Sequence, residues 1–431
     1  MYSPWFRSIV LTALAAGLLA RPAFADSQVR IVRLSSVQGA VQINKNSGLG
    51  FENAFANLPI IQGTQLRTQG SGRAEVEFED GSTLRLTPNT TIDFSQLGLS
   101  DTGKRISTLN LVEGRAYVNW LGKSGDDFTL NFAQEKVVLG PAAHFRAESS
   151  SNSAEIASFK TEIDVTAPAG VVKVPKRKMV AFDVADNDRP AEAKNVAQDP
   201  YDEWDQQSME YHDQYAKNNN ASLGYGVSDL SYYGGYTTLP GYGNLWQPYF
   251  AGAGWNPFMD GAWSWYPGMG YMWASAYPWG WMPYYYGTWT FAPGFGWGWQ
   301  PGGFNTWHGG LHYSGAVAAD FHLPTAPGGT VNTVAVGRGG PVLTADPLPR
   351  MTVRNGTAGL GVPRGVYGNL HSLNGQVAKR GSAEMERAPQ FSWTPLTAGE
   401  HWPGEDRSTI AGSHAGGSAG HASGGGGGAH H

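Results

Sequence analysis

The chain has 431 residues and a formal net charge of −5, so it lacks the basic excess typical of nucleic-acid-binding proteins. It contains no cysteine, which excludes disulfides, cysteine-ligated metals and a thiolate nucleophile. The fold must therefore be held together by its hydrophobic cores.

The first 25 residues predict a secretory signal peptide. Arg7 supplies a positive charge, residues 9–19 form an apolar run, and Ala23-Phe24-Ala25 is a small-residue cleavage site. The apolar run is too short to span a bilayer comfortably, so we expect cleavage before Asp26. After cleavage no transmembrane helix is expected. The mature protein is predicted to be exported, to the periplasm, the cell surface or the medium.

In residues 28–184, apolar and polar residues alternate as they do in half-buried strands. Ala74, Val76 and Phe78 alternate with glutamates, and the turn residues Asp80-Gly81 follow directly. Similar alternations recur at 92–94, 109–111, 116–120 and 128–132. We therefore predict one all-β domain here and expect it to fold on its own.

Glu75, Glu77 and Glu79 share one face of the first of these strands. Three carboxylates on one face could ligate a metal or act as general acids, but no histidine lies nearby in the sequence. We interpret this face as the solvated outer face of the domain. His144, beside Phe145, is expected to be a lone histidine with satisfied hydrogen bonds.

Several motifs in this segment carry a family resemblance. They are GAVQI at 39–43, GTQLRT at 63–68, VEFEDGSTLRL at 76–86 and GRAYV at 114–118. Together they resemble a FecR-type domain, an all-β periplasmic module found in iron-uptake regulators and in many other envelope proteins. Gly140-Pro141-Ala142 departs from the Arg-Gly-Thr that is usual in the family. The resemblance implies an architecture more than an activity.

A linker and a helix are predicted next. Residues 185–199 are polar and lack periodicity. Asp199-Pro200 then supplies an N-cap and a proline at the first helical position, so we predict an amphipathic helix over 200–217. Its aromatic residues fall near one face: Tyr201, Trp204, Tyr211 and Tyr215. We expect this stripe to pack on a neighbouring domain.

Residues 229–312 form an aromatic region. Between Tyr242 and Trp307 there is no valine, no isoleucine and one charged residue, and tryptophans recur every 8 to 10 residues. The region contains three Trp-x-Trp pairs: Trp263/Trp265, Trp279/Trp281 and Trp297/Trp299. Residues i and i+2 share a face in a strand, so we predict a small antiparallel β-meander of short hairpins. The overall prediction is a mainly β protein.

The aromatic region also resembles a known family. WQPY at 246–249, GWNPF at 254–258, PWGWMPY at 278–284 and GWGWQP at 296–301 are similar to the aromatic repeats that follow a FecR-type domain in a bacterial envelope family (DUF6600-like). That family usually has Gly-Arg-Trp where this chain has GAW at 261–263 and GTW at 287–289. No role for the missing arginine is carried over.

Two interpretations of the aromatic residues stay open. Their rings can form the core, because almost no aliphatic residues are present to exclude water. Alternatively, exposed rings can form a stacking platform for a glycan or peptidoglycan. The platform residues would be Trp263, Trp265, Trp279, Trp281, Trp297, Trp299, Tyr284 and Tyr286. We favour the core, because so large an exposed aromatic surface promotes aggregation, and we expect the tyrosine hydroxyls to face a wet edge.

The remaining sequence predicts little structure. Residues 313–410 are rich in proline, glycine and small residues, and residues 411–431 consist only of Ala, Gly, Ser and His. Such a composition cannot bury a core, so we expect the last segment to be a disordered tail.

No catalytic signature is present: the chain lacks a serine-histidine-aspartate arrangement, a phosphate loop and a metal-binding motif. We predict a non-enzymatic, exported cell-envelope protein with a binding or scaffolding role and with no cofactor. Its partner would be an envelope protein or a cell-wall glycan, not a nucleic acid. A glycan-binding module and a sensor or regulator related to FecR-type signalling are the alternatives.

Overall fold

The period-2 segments form one large sheet. The computed structural model describes residues 30–122, 125–140, 142–186, 188–216, 224–303, 307–308, 310–337 and 349–388. The strands of this sheet are β1 (Val32–Asn44), β2 (Glu52–Asn53), β3 (Pro59–Ile60), β4 (Gln65–Glu77), β5 (Thr83–Leu86), β6 (Thr91–Leu99), β7 (Arg105–Trp120), β8 (Asp127–Phe132), β9 (Glu135–Leu139), β10 (Ala143–Ser149), β11 (Ser153–Ser158), β12 (Ile163–Ala167), β13 (Gly170–Val174), β14 (Lys178–Asp183), β15 (Arg189–Pro190) and β16 (Lys194–Asn195).

Strand β7 is the centre of this sheet. The main path runs β13-β12-β9-β8-β7-β10-β11-β14-β15, and β7 also pairs with β5 and β6, which lead to β4 and β1. Its pairing with β8 is parallel, and its other pairings are antiparallel. Gly114 lets β7 pass close to its neighbour, since it has a φ of 90° and an added Cβ would lie 2.5 Å from the carbonyl oxygen of Asn89.

The predicted apolar face forms the core of this sheet. Ala74, Val76 and Phe78 are each at most 2% exposed. The Phe78 ring meets the ring of Trp120 edge-on at 6.4 Å and that of Phe128 at 6.0 Å. The hairpin between β4 and β5 is also confirmed, because its strands pair and the Phe78 nitrogen donates to the carbonyl of Ser82 at 2.8 Å.

The predicted linker is partly paired with the sheet. After a 3-10 turn at Val184–Asp186, β15 and β16 both pair with β14. The predicted helix follows as α1 (Asp202–Ala216), and the Asp199 carboxylate accepts a hydrogen bond from the Tyr201 nitrogen at 2.8 Å. The cap at Asp199 thus lies where it was predicted, although helix α1 begins at Asp202, two residues later than predicted.

The aromatic region folds as hairpins. Its elements are α2 (Val227–Tyr233), β17 (Gly234–Leu239), β18 (Gly243–Pro248), β19 (Gly261–Tyr266), β20 (Gly270–Ser275), α3 (Met282–Tyr285), β21 (Thr288–Ala292), β22 (Gly296–Gln300), β23 (Tyr313–Ser314) and β24 (Val334–Val336). The hairpins β17–β18, β19–β20 and β21–β22 are antiparallel, as predicted.

The aromatic hairpins differ from a single meander. They are divided between a sheet of order β17-β18-β22-β21-β23 and a sheet of order β20-β19-β24. Trp279 and Trp281 lie on neither sheet, because Pro278 and Pro283 flank them and cannot donate to a strand ladder. The strand prediction is therefore wrong for this Trp-x-Trp pair.

The segment after β24 contains more structure than its composition indicates. Strands β25 (Arg350–Arg354) and β26 (Ser382–Glu386) pair, and α4 (Leu370–Arg380) lies between them. The Asn369 side chain caps α4 by accepting from the His371 nitrogen at 2.9 Å. The prediction of little structure over 313–410 is thus wrong here, because a few apolar side chains of this segment pack into the core of the aromatic region.

All described residues belong to one compact unit. Strands make up 46% of the described residues and helices 12%, which confirms the mainly β prediction. No helix among the described residues is long and apolar enough to cross a membrane. The predicted signal peptide at 1–25 and the predicted tail at 411–431 lie outside the described residues.

Candidate functional site

A row of polar side chains crosses the outer face of the large sheet. Glu75 on β4 lies opposite Arg85 on β5, Arg85 opposite Tyr117 on β7, and Tyr117 opposite Arg146 on β10. Each of the four is at most 4% exposed. The prediction of a solvated face is therefore wrong. The alternation of apolar and polar residues correctly predicts that this face lies opposite the apolar core. It does not predict that α1, α2 and later segments of the chain cover this face.

Glu75 is surrounded by donors from four parts of the chain. Its carboxylate lies 2.8 Å from Arg85 Nε, 2.6 Å from Arg364 Nη1 and 3.0 Å from His212 Nε2, and it accepts a hydrogen bond from Ser35 Oγ at 2.7 Å. Burial alone would raise the pKa of Glu75, but the charges of His212 and Arg85 outweigh it and hold that pKa well below its ordinary value. Glu75 is therefore held ionised.

Arg33 joins the sheet to α2. Its guanidinium lies 3.1 Å from Glu77 on β4 and 2.6 Å from Asp229 on α2, and the side chains of all three are at most 1% exposed. Asp229 also binds Arg364 Nε at 2.8 Å and accepts a hydrogen bond from the Tyr211 hydroxyl at 2.8 Å. Burial raises the pKa of Glu77, which faces one arginine here and has Asp229 as an acidic neighbour.

Helix α1 is anchored by its acidic residues. Asp205 lies 2.8 Å from Arg85 and 2.7 Å from His144, and Asp202 lies 2.8 Å from Arg146. Burial would raise the pKa of Asp205, but Arg85 and the hydrogen bond with His144 hold it below its ordinary value. His144 is thus satisfied, as expected, but by a helix remote in sequence.

We call the connected charged side chains the ion-pair network. Its members are Arg33, Glu75, Glu77, Arg85, His144, Asp205, His212, Asp229 and Arg364. Among the described residues, no group of three or more histidine and carboxylate side chains is arranged to hold a metal ion. The ion pairs of the network connect the sheet, α1, α2 and the segment around Arg364 to one another.

Further hydrogen bonds connect the large sheet to the aromatic region. Asn57 receives hydrogen bonds from Arg33 and donates to the carbonyls of Ser275 at 3.1 Å and Tyr277 at 2.7 Å. The Tyr266 hydroxyl on β19 donates to the carbonyl of Pro59 in the large sheet at 2.6 Å. The aromatic region is thus hydrogen-bonded directly to the first sheet.

Trp279 lies at the centre of the aromatic core. Its ring stacks on that of Tyr277 at 4.9 Å and meets the rings of Trp246 at 5.0 Å and Trp289 at 5.9 Å. Its indole N–H donates to the carbonyl of Ala358 at 2.7 Å. The segment before α4 therefore completes the hydrogen bonding of this core.

Most of the predicted platform residues lie inside this core. Seven of the eight are at most 6% exposed: Trp263, Trp279, Trp281, Trp297, Trp299, Tyr284 and Tyr286. Trp265 is half-buried. Stacking on a sugar needs an exposed ring face, so these positions favour the interpretation of the aromatic residues as core.

The tyrosine hydroxyls do not face a wet edge. Tyr285 donates to the carbonyl of Trp273 at 2.6 Å, and the hydroxyls of Tyr286 and Tyr225 lie 2.8 Å apart. Tyr284 donates to the carbonyl of Pro257. The hydroxyls therefore satisfy buried groups, and that part of the prediction is wrong.

A cleft opens beside the ion-pair network, where β1, β4, α1 and the segments flanking α4 meet. We call it the junction cleft; its cavity volume is about 80 Å³. Three arginines line it together with Glu75: Arg73, Arg364 and Arg387. The guanidinium of Arg73 lies 5.3 Å from the Trp204 ring, and that of Arg364 lies 5.3 Å from the Tyr211 ring. Guanidinium groups beside aromatic rings suit an acidic ligand.

Sequence reasoning found only part of this cleft. The aromatic stripe of α1 was recognised, and Trp204 and Tyr211 do line the cleft. The three arginines are separated by up to about three hundred residues and share no motif, so no local signal relates them. Only the fold brings them together.

Comparison with known families matches one family model to part of the large sheet and another to the aromatic region. Residues 64–172 match the family model described as FecR protein, and residues 227–319 match a family of unknown function (DUF6600). The chain combines a FecR-type region with a DUF6600 region. The FecR-type region begins just before β4 and ends within β13, and the DUF6600 region runs from α2 past β23. Both resemblances noted in the sequence are thus confirmed.

Two solved structures resemble part of the chain. Both are crystal structures of a candidate anti-sigma factor from Parabacteroides distasonis ATCC 8503, at 16% and 17% identity and with TM-scores of 0.28. They cover 33% and 35% of this chain. The match spans 64% of the first of those chains, less than two thirds of it, and 71% of the second. Similarity this low does not relate their functions. Comparison with curated proteins gave no match.

Proposed function

We propose that this protein is an exported, non-enzymatic protein of the bacterial cell envelope that binds another protein through the junction cleft. The observation that carries the proposal is the position of the cleft between the FecR-type sheet, α1 and the segments flanking α4. The ion-pair network holds these elements together, so the cleft has rigid walls. A rigid, preformed site binds at a lower entropic cost than a flexible one.

The chemistry of the junction cleft favours an acidic protein segment. Arg73 and Arg387 line it together with Arg364, whose guanidinium is already paired with Glu75 and Asp229. Trp204 and Tyr211 add flat apolar surface beside Arg73 and Arg364. Arginine forms bidentate hydrogen bonds with carboxylates, and aromatic side chains are frequent anchors in protein interfaces.

A regulatory role is the second candidate. The match of residues 64–172 to the FecR protein family supports it, since the resemblance noted in the sequence includes iron-uptake regulators. If the protein has a regulatory role, the partner that binds in the junction cleft is itself a regulatory protein. Glycan binding is less favoured, because seven of the eight platform rings are buried.

Site-specific photo-crosslinking tests the proposal. Gln207 lines the junction cleft, whereas the adjacent Gln206 is exposed outside it. A photoreactive amino acid at 207 in the exported protein should yield a defined adduct with one envelope protein, and the same group at 206 should not. Identifying the adduct separates a regulatory partner from a structural one. Equal adducts at both positions, or none at 207, would contradict the proposal.

A second experiment tests export and glycan binding. N-terminal sequencing of the protein from the envelope fraction should begin at Asp26. The wild-type protein should not be retained on purified peptidoglycan or on neutral polysaccharides. An intact Met1, or strong retention on either glycan, would argue against this assignment.

A further inference from the structure

A second cavity lies directly beside the junction cleft. It is lined by residues of β1, the end of α2 and the segment 361–366, and its volume is about 80 Å³. A cavity of this volume has room for about five waters or for one aliphatic side chain. Four residues line both this cavity and the junction cleft: Ser36, Gln38, Arg364 and Val366. We call the second cavity the apolar cavity, because its lining differs in chemistry from that of the cleft.

The lining of the apolar cavity is buried at its inner end and open at its rim. Its most buried residues are at most 4% exposed: Val37, Tyr233 and Val362. The Tyr233 hydroxyl donates to the carbonyl of Val362 at 2.7 Å, so this polar group is satisfied within the protein. Three other lining residues are half-buried, so the cavity reaches the surface: Ser36, Ala56 and Pro363.

Arg364 lies between the junction cleft and the apolar cavity, and among the described residues that line the apolar cavity it alone carries a charge. Its guanidinium lies 2.6 Å from Glu75 and 2.8 Å from Asp229, and it donates to the carbonyl of Ser35 at 2.8 Å. The charge of Arg364 is therefore balanced inside the protein. An apolar side chain gains by leaving water, so the apolar cavity favours an uncharged aliphatic group.

We propose that the apolar cavity receives an aliphatic side chain of the same partner segment whose carboxylate enters the junction cleft. This inference rests on the proposed function, because the cleft supplies the contact with the acidic group. Arg73 and Arg387 line the cleft and not the apolar cavity, so acidic groups are selected on the cleft side only. Since the two cavities share lining residues, the acidic and the aliphatic residue lie within a few positions of each other in the partner. The site thus recognises a spacing as well as a charge.

The test is the binding of synthetic peptides to the full mature chain, measured by fluorescence polarisation. Each labelled, end-blocked peptide carries a pair of glutamates and one leucine among glycines and serines, and the set varies the order and the spacing of the two features. Matched peptides replace the leucine by alanine or the glutamates by glutamine. The best leucine peptide should bind at least about tenfold more tightly than its alanine counterpart, because burying the larger side chain removes more apolar surface from water. The glutamine counterpart should also bind more weakly.

Substitutions at Ala56 show whether the leucine enters the apolar cavity. Ala56→Trp should fill the cavity from its rim and remove the advantage of leucine over alanine, while the dependence on glutamate remains. Ala56→Leu is a smaller filling that gives the same comparison if the tryptophan variant does not fold. The matched control is Ala185→Trp, at an exposed position outside both cavities, and it should keep both preferences. Thermal unfolding of each variant checks that it is folded.

The outcomes separate this inference from the proposed function. Binding that depends on glutamate but not on leucine overturns the inference and leaves the proposed function standing. A preference for leucine that survives in the folded Ala56 variants does the same, because the leucine then binds elsewhere. Binding that does not depend on glutamate, or no binding by any peptide of the set, overturns both.

Discussion

Arg364 Nη1 lies 2.6 Å from Glu75 Oε1, although 289 residues separate the two in the chain. Through Nε the same guanidinium binds Asp229 on α2 at 2.8 Å. One side chain therefore joins the FecR-type sheet, the DUF6600 region and the segment that follows it. The FecR-type region and the DUF6600 region therefore meet here in a shared buried interior, not across a linker.

The first prediction concerns Glu75. Glu75→Ala should lower the free energy of unfolding by about 3–5 kcal/mol, because it leaves buried arginines without their partner. Glu162→Ala, at an exposed ion pair, should cost less than about 0.5 kcal/mol. Urea unfolding of both variants measures the difference. Similar small losses would show that the outer face is solvated after all.

The second prediction distinguishes the two interpretations of the aromatic rings. Trp281 is 0% exposed, so Trp281→Ala should cost about 3–5 kcal/mol, whereas Trp265→Ala should cost clearly less because its ring is half-buried. Thermal unfolding and polysaccharide pull-down are measured on the same variants. A stable Trp281→Ala protein that has lost binding to a glycan would restore the platform interpretation.

The third prediction concerns pH. The pKa of Asp205 is held below the ordinary aspartate value of 3.8, so the folded state binds fewer protons than the unfolded state in that range. The stability from Asp205 is complete above that value and is lost as the pH falls through the folded-state pKa. Between about pH 6 and about pH 3, Asp205→Asn should lose less stability than the wild type. Asp164→Asn, at an exposed site, should follow the wild type, and an identical slope for all three would refute the assignment.

The fourth prediction concerns α4, which composition did not reveal. Leu370 is 1% exposed and packs into the aromatic core, so Leu370→Ala should cost about 2–5 kcal/mol. Gln376→Ala on the exposed side of α4 should cost less than about 0.5 kcal/mol. Equal melting temperatures for the two variants would mean that α4 does not dock as described.

Local patterns in the sequence predicted the strands well. Alternation at Ala74, Val76 and Phe78 identified the face that forms the apolar core, and Asp80-Gly81 identified the turn. Both signals depend only on neighbours along the chain. The Trp263/Trp265 pair on β19 was predictable for the same reason.

Burial by remote segments could not be predicted. Alternation assigned Glu75 and Glu77 to the face away from the apolar core, but nothing local shows that Asp229 and Arg364 reach the same place. The junction cleft was hidden for the same reason, since its arginines come from distant segments. Composition also misjudged α4, because a few apolar residues suffice when another region supplies most of the core.

A double-mutant cycle between Glu75 and Arg364 tests the central claim most directly. Urea unfolding of the full chain would be measured for Glu75→Gln, Arg364→Met and the double variant. A shared buried interior predicts a coupling energy of at least about 1 kcal/mol between the two positions. Losses that add to within about 0.3–0.5 kcal/mol would show that the two side chains do not interact, and would contradict the joining of the FecR-type and DUF6600 regions through this network.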